Sequence, residues 1–293
     1  MAAGSLADDI RHKLGELSPA ERKVARVLLA NYPAAGFETV AAIAERAAVS
    51  APTVLRFAAR LGYRGFPDFQ AALRQELDER NASPLSLYES TDYGRRTPDS
   101  EATGRDDSLL TRANTAFAAA LTHTLNEVPP HDLGQAIHIL SDRRRRITLA
   151  GGRFTHLLAQ YLAKHLMQLR DDVRILPESA VERTAHLAHL GRRDAVILFD
   201  YRRYEEDKTA IAHMTRESGG KVIVFTDAWL SPATAHADVV LSSQVSAFSP
   251  YDSLVPTLAV IETVIAGVLQ HLGEDAHQHL QRSEDIARRI GTV

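Results

Sequence analysis

The apolar pattern of this chain changes close to residue 108, and the change limits the fold to two dissimilar parts. Up to about residue 80, apolar residues recur at intervals of three and four, which is the period of an α-helix. Beyond residue 108, short runs rich in Val, Ile and Leu alternate with helical stretches, and we expect five strands at Arg146–Ala150, Val173–Leu176, Ala195–Phe199, Val222–Thr226 and Asp238–Leu241. Strands that alternate with helices predict a five-stranded parallel sheet covered on both faces by helices, a three-layer αβα arrangement.

The segment between the two parts, residues 81–108, is polar and rich in turn-forming residues, which is typical of a linker. We therefore expect an all-α domain at residues 1–80, a linker at 81–108, an α/β domain at 109–272 and a C-terminal helical tail at 273–293. The N-terminus lacks the apolar segment of a secretory signal, and no window approaches the ~18 unbroken apolar residues of a membrane span, so a cytoplasmic location is expected. The chain has no cysteine, which excludes disulfides, thiolate zinc sites and cysteine nucleophiles.

Several helix boundaries can be predicted in the all-α part. Ser18 and Glu21 have the spacing of a capping box. A later helix covers about residues 39–47, and the next one is capped by Ser50 and stopped by Gly62. Apolar residues at i, i+3, i+4 and i+7 give that last helix one buried face: Val54, Phe57, Ala58 and Leu61. Two helices joined by a turn of about three residues describe a helix-turn-helix.

The side of the last helix opposite its apolar stripe is basic. Thr53, Arg56 and Arg60 lie there at i, i+3 and i+7, and no acid occurs from residue 49 to 66, although the whole chain has a net charge of −3. Arginine can bind guanine edges or phosphates, and hydroxyl groups at the helix start can contact either. The candidate DNA-contacting residues are Ser50, Thr53, Arg56, Arg60 and Arg64. The alternative is a small helical bundle whose arginines are only solvated.

In the α/β part, a ligand is expected beyond the carboxyl ends of the parallel strands. The loop after the first strand offers backbone amides at a helix N-terminus that could hold an anion, with the candidate residues Gly151, Gly152, Arg153 and Thr155. The loop after the third strand carries Asp200, Arg202 and Arg203, which could clamp a carboxylate or phosphate. The glycines could instead serve only a tight turn, and the charged loop could form a salt-bridged dimer surface. Neither loop has the glycine spacing or the lysine of a nucleotide site, so no cofactor is expected.

The residues from Leu17 to Leu77 resemble the helix-turn-helix signature of the RpiR-type bacterial regulators. The run Thr53-Val54-Leu55-Arg56-Phe57 carries the resemblance most specifically, followed by Leu61-Gly62-Tyr63 and Gly65-Phe66. A weaker similarity extends from about Ile147 to Leu272. The resemblance implies an N-terminal helix-turn-helix joined to a sugar-isomerase-type (SIS) domain, with double-stranded operator DNA and a phosphosugar effector as partners.

Both strand-end loops depart from the pattern that this resemblance implies. SIS loops usually read GxGxS and SxSGxT, and the hydroxyl groups of the second loop hold a phosphosugar. In the first loop, Arg153 replaces a glycine and Thr155 replaces a serine. In the second loop, charged residues replace the serine, serine, glycine and threonine of the pattern: Asp200, Arg202, Arg203 and Glu205. A carboxylate at Asp200 would repel phosphate unless an arginine neutralises it. We therefore expect the pocket to take a small polar or anionic metabolite, with a sugar phosphate as one candidate, or to be filled by its own side chains.

An SIS-type sugar-phosphate isomerase is the competing function, because such an enzyme needs a positioned base. Acids and histidines that could serve are available in the α/β part: Glu178, Glu182, His186, His189 and Glu262. Such groups on amphipathic helices are mostly solvated, so no catalytic residue is expected and the chain is interpreted as a non-enzyme. His277 and His279, at i and i+2, do not share a helix face, so they and His271 are not expected to bind a metal.

The sequence therefore predicts a DNA-binding regulator that acts as a homodimer or homotetramer on a palindromic site, because one helix-turn-helix makes few contacts with DNA. Effector binding at the strand ends would alter how the SIS-type domains pair, and the linker would pass that change to the DNA-binding helices. No membrane partner is expected.

Overall fold

The computed structural model describes residues 6–90, 109–245, 247 and 249–291. The chain divides into two compact units, residues 1–87 and 88–293. The segment predicted as a linker begins with helical residues, and its remaining part, residues 91–108, lies outside the described residues. The domain bounds expected from the sequence therefore stay a prediction.

The first unit is built of helices. In chain order its elements are α1 (Leu6–His12), a 3-10 turn (Lys13–Gly15), α2 (Pro19–Ala30), a second 3-10 turn (Ala34–Phe37), α3 (Val40–Arg46), α4 (Ala51–Leu61), α5 (Phe66–Asn81) and α6 (Pro84–Ser90). Helix α6 crosses the boundary between the two units. The apolar faces of the earlier helices meet in one core, whose fully buried residues include Val24, Leu28, Ile43, Val54, Phe57 and Leu73.

Local signals in the sequence set the ends of these helices. The Ser18 hydroxyl accepts a hydrogen bond from the Glu21 N–H at 3.3 Å, and the Glu21 carboxylate accepts one from the Ser18 N–H at 2.8 Å, which confirms the predicted capping box of α2. Gly62 ends α4 with a φ of 103°, a left-handed conformation that glycine adopts without strain. Ser50 occupies the N-cap position of α4, but its hydroxyl bonds to the Thr53 hydroxyl at 3.1 Å and not to the backbone.

The second unit contains a five-stranded parallel sheet. In chain order its elements are α7 (Leu109–Glu127), α8 (Pro130–Ser141), β1 (Arg146–Gly151), α9 (His156–Leu169), β2 (Val173–Ile175), α10 (Ala180–Leu187), β3 (Asp194–Phe199), α11 (Glu206–Glu217), β4 (Lys221–Asp227), a 3-10 turn (Pro232–His236), β5 (Val239–Ser243), α12 (Val255–Leu272) and α13 (Glu274–Ile290). All five predicted strands are present, and the predicted fold class, a helical helix-turn-helix part followed by a three-layer αβα part, is confirmed.

Strand β3 explains why the sheet is covered on both sides. All 6 of its residues are buried. Ala195, Ile197 and Phe199 point into a core formed with α8, α9 and α12, whereas Val196 and Leu198 point into a second core formed with α11. Because successive side chains of a strand point to opposite faces, an unbroken apolar run requires a helical layer on each face.

The strand order places the two candidate loops beside each other. The order is β2-β1-β3-β4-β5, so the chain moves from β1 to one side for β2 and to the other side for β3. In a parallel sheet the loops that leave such a pair diverge and leave a crevice for a ligand. The loop at residues 151–155 follows β1 and the loop at residues 200–205 follows β3, so both lie at this switch point.

Helix α12 is long and apolar enough, by length and composition alone, to cross a membrane. In this fold it is a core helix, since one of its faces is buried beside the sheet. Helix α13 follows it and packs on α9, where the His279 ring nitrogen lies 3.1 Å from the Gln168 carbonyl oxygen. The buried residues of α12 include Val260, Ile261, Val264 and Val268.

Candidate DNA-binding surface and effector site

Helices α3 and α4 form the predicted helix-turn-helix, joined by residues 47–50. Ala48 in this turn has a φ of 49°, a left-handed conformation that costs a non-glycine residue about 1–2 kcal/mol. The Val49 N–H donates to the Ala44 carbonyl at 2.9 Å, and this bond holds the turn closed against the end of α3. The turn thus fixes α4 with one face in the core and the opposite face outward.

The outward face of α4 carries two arginines among small and apolar residues. The residues exposed on α4 are Ala51, Pro52, Leu55, Arg56, Ala59 and Arg60. Arg64, just after the helix, is exposed as well. Within residues 6–90 and the other described ranges, no carboxylate forms an ion pair with Arg56, Arg60 or Arg64. These guanidinium groups are therefore neither buried nor neutralised, and phosphates or base edges can reach them.

Thr53 does not lie on this outward face. The residue is only 4% exposed. Its hydroxyl contacts the Ser50 hydroxyl and accepts a hydrogen bond from Arg56 Nη2, both at 3.1 Å. The prediction that Thr53 faces outward is wrong, because the residue lies one turn before Phe57 and therefore at the edge of the buried stripe. Thr53 orients Arg56 instead of presenting its own hydroxyl.

Two further interactions involve residues of α4, and sequence reasoning missed both. The Ser18 backbone N–H and hydroxyl lower the pKa of the buried Glu21 carboxyl, and the positive charges of Arg60 and Arg56 lower it further. Lys13 Nζ donates to the Leu61 carbonyl at 3.1 Å and so satisfies an acceptor in the last turn of α4. Lys13 and Leu61 are 48 residues apart, and no local pattern links them.

The loop after β1 is shaped by the start of α9. A Cβ on Gly151 would lie 2.5 Å from His156 N, so only glycine fits at this position. The Thr155 hydroxyl accepts a hydrogen bond from the Gly152 N–H at 2.8 Å and donates one to the Phe199 carbonyl at 2.9 Å. The hydroxyl predicted to contact an effector is therefore committed to joining β1 and β3. Arg153, by contrast, is exposed.

Asp200 follows β3 as a carboxylate that is only 3% exposed. It accepts hydrogen bonds from the Ser231 hydroxyl and, at 3.2 Å, from the Glu205 N–H. Burial raises the pKa of Asp200, because desolvation disfavours the charged form. Asp200 was predicted to contact an effector, but its oxygens are occupied in holding the loop.

Arg202 is also used internally, and its side chain is only 7% exposed. Its guanidinium pairs with Asp252, with Nε 3.1 Å from Oδ2, and its Cζ lies 5.7 Å from the centre of the Trp229 ring. Its N–H donates to Asp227 at 2.6 Å. The cation predicted to bind an anionic effector is therefore neutralised by the protein itself. Its neighbour Arg203 is exposed.

Glu205 connects the two loops. One carboxylate oxygen accepts a hydrogen bond from the Arg153 N–H at 3.3 Å, and the other accepts one from Lys208 Nζ at 2.6 Å. Lys208 is only 1% exposed. A Cβ on Gly152 would lie 2.7 Å from the Glu205 carboxylate, so the glycine leaves room for this contact. A carboxylate of the protein thus sits between a backbone amide and an ammonium group, which favours the interpretation of a pocket filled by its own side chains.

Sequence reasoning missed most of the partners that fill this pocket. They come from the end of β4 and the loop after it, from the segment before α12 and from the first turn of α11. No spacing within the loop after β3 could have identified them. These residues are Lys208, Asp227, Trp229, Ser231 and Asp252.

The acids and histidines considered for an isomerase do not converge. His186 on α10 contacts the Thr148 hydroxyl at 3.0 Å, on the face of the sheet opposite Ile147. Glu262 on α12 accepts a hydrogen bond from Tyr161 at 3.0 Å, on the other face. In the part of the chain that the structure describes, no three His, Cys, Asp or Glu residues are placed to hold a metal ion.

Comparison with protein families matches both units. A model described as the helix-turn-helix domain of the rpiR family matches residues 4–80, and a model described as the SIS domain matches residues 139–267. The transcriptional regulator HexR of Pseudomonas aeruginosa is 28% identical to this chain over 292 residues, with 96% of this chain and 95% of that protein covered. HexR of Escherichia coli (strain K12) is 25% identical, with 97% and 94% covered.

Solved structures share the fold. The sugar isomerase domain of an RpiR transcription factor from Sphaerobacter thermophilus has a TM-score of 0.56 and 25% identity, and covers 60% of this chain and 98% of its own. NanR of Vibrio vulnificus, complexed with ManNAc-6P, has a TM-score of 0.53 and 16% identity over 98% of this chain and 99% of its own. The two family matches follow the order of the two units described above, and the chain belongs to the rpiR family of transcriptional regulators, with a helix-turn-helix domain followed by an SIS domain.

Proposed function

We propose that the protein binds double-stranded operator DNA through α4 and that its SIS domain adjusts this binding in response to a small polar or anionic metabolite. The observation that carries the proposal is the outward face of α4. Arg56 and Arg60 are exposed there, and no carboxylate of the described ranges forms an ion pair with them. The stretch from residue 49 to 66 has no acid, so a DNA backbone that approaches it meets no opposing charge within that stretch.

The residues on this face and next to it have distinct roles. Ser50 occupies the N-cap position of α4 and Arg56 lies in its second turn, in the part of a recognition helix that reaches base edges in the major groove. Arg60 and Arg64 lie further along and contact phosphates, which set register and orientation. Thr53 acts indirectly, because its hydroxyl holds the Arg56 guanidinium. Two such helices in a homodimer or homotetramer fit a palindromic site whose halves lie one or more helical turns apart.

The effector site of this proposal lies where the loops after β1 and β3 meet. Arg202 and Lys208 are already paired, so the cations left for an anionic ligand are the exposed Arg153 and Arg203. The NanR structure holds ManNAc-6P, which is a sugar phosphate, and a sugar phosphate is one candidate here too. A phosphate that used the Arg153 N–H would first have to displace the Glu205 carboxylate. We therefore expect sugar phosphates to bind more weakly than ligands that contact only the two exposed arginines.

The protein performs this function without turning over a substrate, in the cytoplasm. An isomerase needs an acid or base beside one bound carbonyl compound. The candidate groups His186 and Glu262 are instead bonded on opposite faces of the sheet. Asp200, which could otherwise act at the strand ends, is buried and bonded to Ser231.

Selection of DNA tests the regulator proposal. The purified protein is mixed with sheared bacterial genomic DNA, and the bound fragments are sequenced. We expect a reproducible inverted repeat with the wild type and with Arg289→Ala, a control for an exposed arginine on α13. Arg56→Ala is expected to lose the enrichment. Random fragments together with turnover of sugar phosphates would contradict the proposal and support an isomerase.

A thermal-shift experiment tests the effector site. Inorganic phosphate, a hexose 6-phosphate and a panel of carboxylate metabolites are added to the wild type, to Arg203→Ala and to the control Arg216→Ala, which removes an exposed arginine at the far end of α11. We expect a stabilising ligand to lose its effect in Arg203→Ala alone. Equal stabilisation of all three proteins would contradict the placement of the effector at these loops.

A further inference from the structure

The outward face of α4 includes an apolar strip beside its arginines. Leu55 is 46% exposed. Ala51 and Ala59, one turn before and one turn after it, are exposed too. Leu55 lies outside the buried stripe of α4, and the residue that follows it is the exposed Arg56. The strip Ala51–Leu55–Ala59 therefore runs along the same side of the helix as the basic groups.

An exposed leucine alone means little, because apolar atoms contribute much of any protein surface. The position of Leu55 in α4 is what points to a function. Leu55 is in the second turn of α4, in the half of a recognition helix that faces base edges. The edges in the major groove are donors and acceptors with one apolar exception, the 5-methyl group of thymine. A leucine flanked by two alanines leaves room for this methyl group and offers it an apolar contact.

From these placements we propose that Leu55 contacts a thymine methyl group in each half of the operator and helps to determine the sequence that the protein selects. The inference rests on the proposed binding of DNA through α4 and adds a specificity contact to it. The arginines supply attraction to the backbone and to acceptor edges, whereas Leu55 distinguishes thymine from cytosine and from any base without the methyl group.

A second copy of the helix-turn-helix domain is the other possible occupant of this strip. Pairing of two α4 faces would bring Arg56 and Arg60 of both copies together, within a stretch that has no acid from residue 49 to 66. Like charges that face each other across an interface are unfavourable. The same charges favour the phosphate-lined groove of DNA. The charge of the face therefore points to DNA.

Replacement of thymine by deoxyuridine removes only the methyl group and tests the contact directly. On the operator obtained by selection, each thymine of one half-site is replaced in turn, and affinity is measured by fluorescence anisotropy. We expect the wild type to lose about fourfold in affinity at one thymine per half-site, since burial of one methyl group stabilises a complex by that factor. Replacement in both half-sites should give the product of the two losses, about 15-fold.

Variants of Leu55 assign the loss to this side chain. Leu55→Ala and Leu55→Gln should bind the thymine and deoxyuridine operators equally well, whereas Leu85→Ala, a control for an exposed leucine on α6, should discriminate like the wild type. Circular dichroism checks that each variant is folded, and we expect it to be, because Leu55 is half exposed.

Three results would overturn the inference. The wild type could bind both operators with equal affinity, or Leu55→Ala could keep the full discrimination. Leu55→Ala could also change the oligomer mass measured by light scattering and leave discrimination intact, which would assign the strip to a second copy. In each case an operator is still bound, so the proposed DNA binding survives. Failure to select any operator would instead remove the proposed function and this contact together.

Discussion

Two regions of this molecule carry arginines close together and use them in opposite ways. On α4, Arg56 and Arg60 are exposed and have no ion pair within the ranges that the structure describes. After β3, Arg202 is buried against Asp252, and the nearby Lys208 is buried against Glu205. The first region lies in a stretch without acids, and the second is surrounded by carboxylates. The neighbouring charges, more than the residue type, thus determine whether a cation can bind a ligand or stabilises the fold.

The largest effect expected from this comparison is on stability. Arg202→Ala leaves Asp252 without its partner, and loss of one member of a buried pair typically costs about 3–5 kcal/mol. The Asp252 side chain is 23% exposed, so water screens the remaining charge and we expect about 2–3 kcal/mol. Trp229 is the single tryptophan of the chain and lies beside Arg202, so its fluorescence during urea unfolding measures the loss.

The adjacent arginine is the matched control. Arg203→Ala removes an exposed side chain and should change the free energy of unfolding by less than about 0.5 kcal/mol. An equal loss of unfolding free energy in Arg202→Ala and Arg203→Ala would contradict the description of Arg202 as buried and paired and of Arg203 as exposed.

The next effect concerns DNA affinity. Arg56→Ala should weaken operator binding by about 1–3 kcal/mol if the guanidinium contacts a base, and the urea midpoint should stay at the wild-type value. Fluorescence anisotropy with the selected operator and with a scrambled duplex measures both affinities. An equal loss on both duplexes would contradict base reading by Arg56 and would leave it a phosphate contact.

Local patterns predicted much of the fold because the signals act over a few residues. The spacing of Ser18 and Glu21 predicted a capping box, and Gly62 predicted the end of α4. Runs of apolar residues predicted five strands, since a strand buried on both faces needs no polar alternation. The exposed arginines of α4 could be predicted in the same way, from their position opposite an apolar stripe.

The strand-end pocket could not be predicted in this way, because its contacts join distant segments. Arg202 and Asp252 are 50 residues apart, and Arg153 and Glu205 are 52 apart. The prediction for Thr53 was wrong for a different reason. A residue at the edge of the apolar stripe of a helix can face the core or the solvent, and the packing of neighbouring side chains determines which. Leu55 gave a signal that could have been used, namely an apolar residue on the charged side of a helix.

A smaller effect should appear as a pH dependence of stability. Burial raises the pKa of Asp200, so the folded protein binds this proton more tightly than the unfolded chain. The stabilisation that the protonated Asp200 gives the fold is fully present below the pKa of this group in the unfolded chain. It is lost as the pH rises through the pKa of this group in the folded protein. We expect the wild type to lose stability relative to Asp200→Asn as the pH rises from acid to neutral, past the ordinary pKa of an aspartate. Urea unfolding of both proteins across this range measures the difference, and a constant difference would contradict the burial of a charged group.

The smallest effect is expected at Arg64, which follows α4 and is exposed. Arg64→Ala should weaken binding to every duplex alike by less than about 1 kcal/mol, because a phosphate contact carries no sequence information. The slope of log affinity against log salt concentration should fall by about 1. Loss of discrimination between operator and scrambled DNA would assign Arg64 to the bases instead.

Chemical labelling of arginines tests the contrast between the two regions most directly. Phenylglyoxal is applied to the protein with and without saturating operator DNA, and each site is quantified by mass spectrometry. We predict that Arg56 and Arg60 are labelled in the free protein and protected by DNA, whereas the exposed Arg153 and Arg203 are labelled in both samples and the buried Arg202 in neither. Unchanged labelling of Arg56 and Arg60 in the presence of bound operator would contradict the assignment of α4 as the DNA-binding surface.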